Sequence, residues 1–579
     1  MTEACVILHN AAVGRWLCFS DPYQIISVSR PDEIVPALNQ TETLVNTNSW
    51  HAAGFISYEA SGAFDPALRA YAAGDFPLLW FGLFPEPVEF VLTDPDFRAY
   101  SLGGLTPSIS QPEYDQAIRR IKEYISSGDT YQVNYTLRLR ASFFGNPWHL
   151  FLSMVRAQPS GYSAWVETGS RFALCSASPE LFFRLDGNRL TCKPMKGTVK
   201  RGRTLNEDES LAEWLHNSEK NRAENLMIVD MIRNDLGRIA EFGSVHVPHL
   251  FEVERHPTLW QMTSTVAAEC NKPLAEIFAA LFPCASITGA PKIRTTQIIT
   301  ELETTPRGIY TGCIGCVAPG RSAQFNVAIR TAVVDRLIGQ AEYGAGGGIV
   351  WDSSCNDEYT EALLKARVLT EQRPEFSLLE TLLWTPEDDY FLLDYHLRRL
   401  EDSAVYFEYS LDIATVRNRL LEQISLFSGI PHRVRLLVAR DGDVTIEAAS
   451  LTLEESACPV RVKLAGLPVN SAEVFLYHKT THRRIYEDAR QSCPDCDDVL
   501  LWNERGELTE SSVANVVVDI SGALVTPPVD SGLLAGTFRA WLIDQGRIRE
   551  QAIKAADLGN CSKIYLINSI RKWREAVLI

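Results

Sequence analysis

The stretch Thr-Glu-Gln-Arg-Pro-Glu-Phe at residues 370–376 constrains this chain more than any other feature. It is polar and carries a proline, and the hydrophobic patterning stops on one side of it and restarts on the other. Upstream, "CNDEYTEALLKARVLTEQ" reads as a helix that ends just before Pro374. Downstream come an alternating "SLLETLLW", a helix "DYHLRRLEDSAVYF" and a strand "RVRLLVARDG". A chain of 579 residues exceeds what one hydrophobic core ordinarily supports, so this break reads as a boundary. The expected organisation is one domain over 1–370, a linker over 371–376 and a second domain over 377–579.

Within the first domain, "PEYDQAIRRIKEYISSGD" places Ala117, Ile118, Ile121, Tyr124 and Ile125 on one helical face, with Gly128 as its stop. The alternating "TYQVNYTLRLRASF" reads as a strand, as do "SVHVPHLFEVE" and "FNVAIRTAVVD". A second long helix is expected from about Leu211 to Ile239.

A net charge of −17 argues against a general nucleic-acid binder, although arginines and lysines inside a cleft can still attract a small anion. No apolar run is long enough to span a bilayer, and the first residues, "MTEACVILHN", lack a basic signal-peptide region. The expectation is a cytoplasmic protein with no membrane or nucleic-acid partner. Thirteen cysteines, an odd number, read as reduced thiols. The pairs Cys313/Cys316 and Cys493/Cys496 could bind zinc, but no histidine pair at ligand spacing accompanies them, which favours incidental thiols.

Several side chains carry chemistry. In "CKPMKGTVKRG", Lys196 lies between a turn-forming proline and glycine, where an isolated lysine is usually a surface charge. Glu224 sits in the apolar helical run "AENLMIVD", and Glu358 and Glu361 are three residues apart on one helix face. Carboxylates converging from separate helices would suit Mg²⁺, and a solvated face is the alternative. The four glycines of "YGAGGGIVWD" could form a turn whose N–H groups cradle a carboxylate, or a tight hairpin. Arg330 and Lys292 end apolar runs and are either structural or carboxylate-binding.

Taken in order, "AENLMIVDMIRNDLGR", "SITGAPKIRTTQIITELE", "RGIYTGCIG", "VAIRT", "GAGGGIVWDSS" and "DEYTEALLKA" resemble the chorismate-utilising enzymes, a family that includes anthranilate, isochorismate and aminodeoxychorismate synthases. The resemblance implies an α+β fold of stacked, mainly antiparallel sheets flanked by helices. It also implies Mg²⁺ held by Glu224 and Glu361 with Glu358 assisting, and substrate carboxylates held by Tyr310, Arg330, Gly346, Gly347 and Lys365. Lysine at position 196 is similar to the aminodeoxychorismate branch, where it implies a covalent adduct with the ring; Glu180 in "SASPELFF" would be the acid/base carboxylate. Such a lysine needs a lowered pKa, for which Lys193 and Lys200 are the expected positive neighbours. The chain departs from the family at Gln261, where a histidine is common, and at Asn221, where several relatives carry an acid. It has no glutaminase nucleophile turn, so nitrogen would come from free ammonia or a separate glutamine amidotransferase subunit.

In the last 200 or so residues, "FLYHKTTHRRIYEDAR" puts Lys479 after a short strand-like run, and "GELTESSVANVVV" puts Glu510 between a turn and a strand. "DYHLRRL" supplies Arg399, and "SGLLAGTFR" a glycine turn before a helix. Together they resemble fold-type IV pyridoxal-phosphate enzymes. That resemblance implies Lys479 bonded to the cofactor, Glu510 paired with its ring nitrogen, and Arg399 with the N–H groups of Thr537 and Phe538 on its phosphate. Such domains also imply a homodimer. In series the two halves imply chorismate converted to 4-amino-4-deoxychorismate and then to 4-aminobenzoate and pyruvate. The alternatives are anthranilate or isochorismate synthesis in the first half, and an aminotransferase or a silent module in the second.

Overall fold

Ser110 opens the helix Gln111–Ser126 with a capping box: its hydroxyl and N–H both meet Glu113, and Pro112 stands in the first turn. The helix ends at Ser127, and Gly128 follows at φ +78°, a left-handed conformation that glycine adopts without a Cβ penalty. Tyr114, Ala117, Ile118 and Ile121 are its buried face. The structure is a computed structural model that describes residues 3–579 apart from 12, 73, 170, 372 and 453–457. Gln372, in the expected linker, therefore lies outside the described residues.

The chain separates into two units, Met1–Lys200 with Ala212–Arg373, and Arg201–Leu211 with Pro374–Ile579. In the first unit the described residues form an eleven-stranded and a ten-stranded sheet, antiparallel throughout. One apolar cluster joins Val6, Leu8, Val166 and Leu174 of the first sheet to Ala53, Phe55 and Ile314 of the second, so the sheets stack face to face. The outer face of the eleven-stranded sheet is covered by the helices Gln111–Ser126 and Pro147–Ala157. The other sheet is covered by Pro31–Asn48, Glu219–Gly237 and Leu274–Leu281. This is the layered architecture that the family resemblance implies.

Three local expectations change. The long helix over 211–239 is two helices, Leu205–Asn217 and Glu219–Gly237, because Ser218 interrupts it and caps the second through the Asn221 N–H. "FNVAIRTAVVD" is two strands, Ser322–Val327 and Thr331–Asp335, in different sheets, and the chain changes sheets at Arg330, which sits at φ +51°. The glycine-rich stretch is neither cradle turn nor hairpin. It lies in the strand Gln340–Ile349, with Gly346, Gly347 and Gly348 opposite Thr136, Tyr135 and Asn134.

Among its described residues the second unit has a four-stranded antiparallel sheet, to which Leu378–Thr385 and His432–Val438 belong, packed against the helices Leu393–Phe407 and Ile413–Gln423. An eight-stranded mixed sheet holds the strands Leu508–Ser511 and Asn515–Ile520, with the helix Thr537–Asp544 beside it. Lys479 lies between these layers. It follows a 3₁₀ turn, Val474–Leu476, rather than the strand-like run expected, and its carbonyl accepts from the Leu379 N–H at 2.9 Å.

Candidate active sites

The strand Met195–Lys200 carries Lys196 into the first site, and its register is broken between Met195 and Thr198 at Gly197, φ +92°. That left-handed φ favours glycine, and a Cβ would sit tightly, 3.0 Å from Cβ of Asn221. Two amides hold the turn. Asn225 Nδ2 donates to the Lys196 carbonyl at 3.3 Å, and Gln261 Nε2 donates to the Gly197 carbonyl at 2.8 Å. Gln261, one of the two family departures, thus supports the turn that bears the lysine, and Asn221, the other, packs against it.

Burial lowers the Lys196 pKa from its ordinary value; Glu180 opposes this and Lys365 adds to it. The positive neighbour is therefore Lys365, not Lys193 or Lys200. Lys193 is paired with Glu254, and Lys200 is exposed. Glu180 is buried, accepts from Ser286 Oγ at 2.6 Å, and is pushed up to about 7 by burial. A carboxyl that keeps its proton near neutrality and an amine that sheds one easily are matched for proton exchange during nucleophilic attack.

The glycine strand is the floor of this site. A Cβ on Gly347 would lie 3.0 Å from Glu358 Oε2 and 3.7 Å from Lys365 Nζ. One on Gly348 would lie 2.6 Å from Gln132 Nε2 and 3.3 Å from Lys196 Nζ. The strand thus leaves room for side chains from three separate elements to converge: the helix Cys355–Lys365 and the strands Gln132–Gly145 and Met195–Lys200. Lys365 Nζ donates to the Gly346 carbonyl at 2.8 Å and pairs with Glu361 at 2.8 Å. Lys365 lowers the Glu361 pKa, whereas burial raises that of Glu358. Glu224, from the helix Glu219–Gly237, acts on both Lys196 and Glu358. Arg330 donates to the Lys365 carbonyl at 3.2 Å, and Tyr310 is buried within its electrostatic reach. Lys292 is committed elsewhere, to Asp235 at 2.7 Å.

Sequence reading did not single out Gln132. Its side-chain nitrogen is buried without a partner and points toward Gly348 and Lys196, so a bound ligand there would find a donor. Among the described residues, no three His, Cys, Asp or Glu side chains are grouped so that they could hold a metal ion.

In the second unit, burial lowers Lys479 to about 8, with Arg399 and Arg483 acting the same way. Glu510 is pushed up to about 7 by burial; it accepts from Tyr486 Oη at 2.8 Å, from Asn515 Nδ2 at 3.2 Å and from the Leu534 N–H at 3.1 Å. Arg399 meets buried Glu380 with two nitrogens, at 2.9 and 2.7 Å. Burial would raise Glu380, yet Arg399 and His396 together hold it down at about 2. His396 links Glu380, at 2.6 Å, to Thr537 Oγ1, at 3.2 Å. Thr537 and Phe538 open the helix Thr537–Asp544, with Phe538 buried against Phe391 and Trp541. Lys479, Glu510, Arg399 and Thr537 are thus gathered around one centre. Glu380 and His396 complete it, and the first had a sequence signal: a glutamate among the leucines of a buried strand.

The raised carboxyls predict a pH dependence of the cofactor-free protein. Glu59, Glu180 and Glu510 each stand at about 7 folded against 4.5 for the free side chain. Their stabilising contribution is therefore complete below 4.5 and lost as pH rises through about 7. Lys479, lowered to about 8, acts only above that. The melting temperature should fall as pH rises from about 4.5 to about 7, and Glu180→Gln and Glu510→Gln should each flatten that slope.

Residues 91–371 match the family model for chorismate binding enzyme, and residues 377–579 match that for amino-transferase class IV. A probable chloroplastic aminodeoxychorismate synthase from Oryza sativa subsp. japonica is 42% identical over 46% of this chain and 30% of its own length. Aminodeoxychorismate synthase component 1 of Bacillus subtilis is 39% identical over 48% of this chain and 58% of its own. The chain thus spans from under a third to just over half of these relatives. The structure of anthranilate synthase component I from Streptococcus pneumoniae, at 24% identity, covers 64% of this chain and 91% of that one with a TM-score of 0.52, and shows the same fold in the first unit. The chain joins a domain of the chorismate binding enzymes to a domain of the class IV amino-transferases.

Proposed function

We propose that this chain is a two-step 4-aminobenzoate synthase, with residues 1–370 making 4-amino-4-deoxychorismate and residues 377–579 eliminating pyruvate from it. The observation that carries the reading is the convergence of Lys196, Glu180 and Lys365 beside a strand stripped of side chains at Gly346, Gly347 and Gly348. Uncharged Lys196 adds to the ring as the C4 hydroxyl leaves as water, with Glu180 supplying the proton. Ammonia then adds at C4 and the lysine departs. Tyr310, Arg330, Lys365 and the N–H groups of Gly346 and Gly347 would orient the two carboxylates of chorismate. Mg²⁺ rests on the family resemblance: Glu224, Glu358 and Glu361 are not grouped as a metal site among the described residues, and Glu361 would have to give up Lys365 for the ion. The relatives named component 1 support a separate glutaminase as the source of ammonia.

In the second domain the residues fit pyridoxal phosphate: a buried amine of low pKa, a buried carboxyl for the ring nitrogen, and an arginine beside a helix N-terminus for the phosphate. When bound, the cofactor supplies an electron sink. Lys479 takes the proton from the amine-bearing carbon as enolpyruvate leaves, and the ring becomes aromatic. Glu510 holds the charge that keeps the sink effective, and Arg399, steadied by Glu380, anchors the phosphate.

The test incubates the full chain with chorismate, ammonium, Mg²⁺ and pyridoxal phosphate and separates the products. 4-Aminobenzoate and pyruvate in equal amounts are expected. Anthranilate or isochorismate would overturn the first assignment. Accumulating 4-amino-4-deoxychorismate together with transaminase activity would overturn the second.

A further inference from the structure

The second unit contains a piece of chain that sequence reading assigns to the first domain. Arg201–Leu211 belongs to it, entering directly after the strand that bears Lys196. This piece grips the two residues that precede Lys479. The His478 ring nitrogen Nε2 meets the Arg203 carbonyl at 3.1 Å, while Nδ1 meets Ser403 Oγ at 3.0 Å. Burial lowers His478 to about 4, so the ring is neutral, and donating to the Arg203 carbonyl fixes its tautomer. Arg203 donates to Tyr477 Oη at 3.1 Å and to Asp530 at 2.6 Å, and Tyr477 in turn donates to the Ser471 carbonyl at 2.6 Å.

The segment is itself held by its own hydrogen bonds. Arg201 and the Gly202 N–H both donate to Asp208, at 2.7 and 2.8 Å, and Asp208 is fully buried. A Cβ on Gly202 would lie 2.6 Å from Cα of Asp208, so the turn requires glycine. The Gly202 carbonyl accepts from Tyr406 Oη at 2.7 Å, and the Arg201 guanidinium lies 4.5 Å over the Tyr406 ring. Downstream of the lysine, the Leu379 N–H and the bridge between Leu378 and Thr480 hold the main chain. Upstream, the segment does.

We propose that Arg201–Asp208 is a positioning element of the Lys479 site, with Arg203 as its central residue. It sets the orientation of Lys479 through Tyr477 and His478 and touches no reacting atom. The inference rests on the reading of the second domain as a pyridoxal-phosphate enzyme.

The experiment uses the full chain and four variants: Arg203→Ala, Arg203→Lys, Tyr477→Phe and Asp530→Asn. Pyridoxal phosphate is titrated by its visible absorption, and the pH midpoint of that absorption is measured along with the melting temperature. Arg203→Ala and Tyr477→Phe should weaken cofactor binding by about tenfold, as expected when a partly buried charge-assisted bond is lost, and should shift the pH midpoint. Arg203→Lys, which can reach only one partner at a time, should restore part of both, and Asp530→Asn should fall between it and the wild type. The proposal is overturned if affinity stays within about twofold and the midpoint does not move, even where the melting temperature falls, because that pattern is structural support alone. Should Arg203→Ala fail to fold, Tyr477→Phe decides, since it deletes one hydroxyl and keeps the ring. A wild-type chain that takes up no pyridoxal phosphate overturns the reading of the domain, and this inference with it. Uptake unchanged by the variants overturns the inference alone.

Discussion

Lys196→Ala should slow ammonia-dependent formation of the 4-amino product by about 10³-fold or more, with chorismate affinity changed no more than about threefold. The split follows from how the neighbouring amines are used. Lys365 is shared between Glu361 and the Gly346 carbonyl, Lys193 is paired with Glu254, and Lys292 with Asp235. Lys196 instead has its pKa lowered by burial, and Glu180 is the carboxylate that acts on it most strongly. Lys365 and Arg330 would still hold the substrate's carboxylates after the substitution, so binding survives while attack does not. Lys196→Arg separates chemistry from charge. It keeps the positive charge but cannot shed a proton at working pH, and should be as slow as alanine. Product chromatography gives the rate, and equilibrium dialysis with chorismate the affinity. Near-normal formation of 4-amino-4-deoxychorismate by Lys196→Arg would reduce Lys196 to an electrostatic role.

The order of motifs made most of this site legible before any coordinate. The helices Gln111–Ser126 and Leu393–Phe407 and the strand Gln132–Gly145 could be read from their own periodicity, because their buried faces repeat along one element. What stayed hidden depends on contacts between elements. Glycines 346–348 look like a turn in sequence, since nothing local says that side chains from elsewhere need their space. Lys193 and Lys200 looked like the charges beside Lys196 because they are near it in sequence, whereas the cation that acts on it, Lys365, comes from a separate helix. Gln132 and Asn225 are polar residues on ordinary-looking elements, and only their direction gives them a role. The segment Arg201–Leu211 carries no sequence mark of the unit it joins. A linker is visible as a break in pattern, but a single turn that packs into another unit is not.

Lys479→Ala should reduce release of 4-aminobenzoate by about 10⁴-fold or more, the combined scale of losing a covalent tether and a proton-transfer group. 4-Amino-4-deoxychorismate should accumulate at close to the rate at which the wild type consumes chorismate. The visible absorption of lysine-bound pyridoxal phosphate should disappear with it. Glu510→Gln should behave differently. An amide cannot stabilise a proton on the ring nitrogen as a carboxylate does, so the cofactor should stay lysine-bound and coloured while elimination slows. Its packing should survive, because the amide oxygen can still accept from Tyr486 and Leu534. Accumulation of the intermediate in both variants, with colour lost only in the first, is the signature of an amine that moves the proton and a carboxyl that tunes the sink. If Lys479→Ala released 4-aminobenzoate at an undiminished rate, the elimination would have to occur elsewhere, and the second domain would be a passenger on the first.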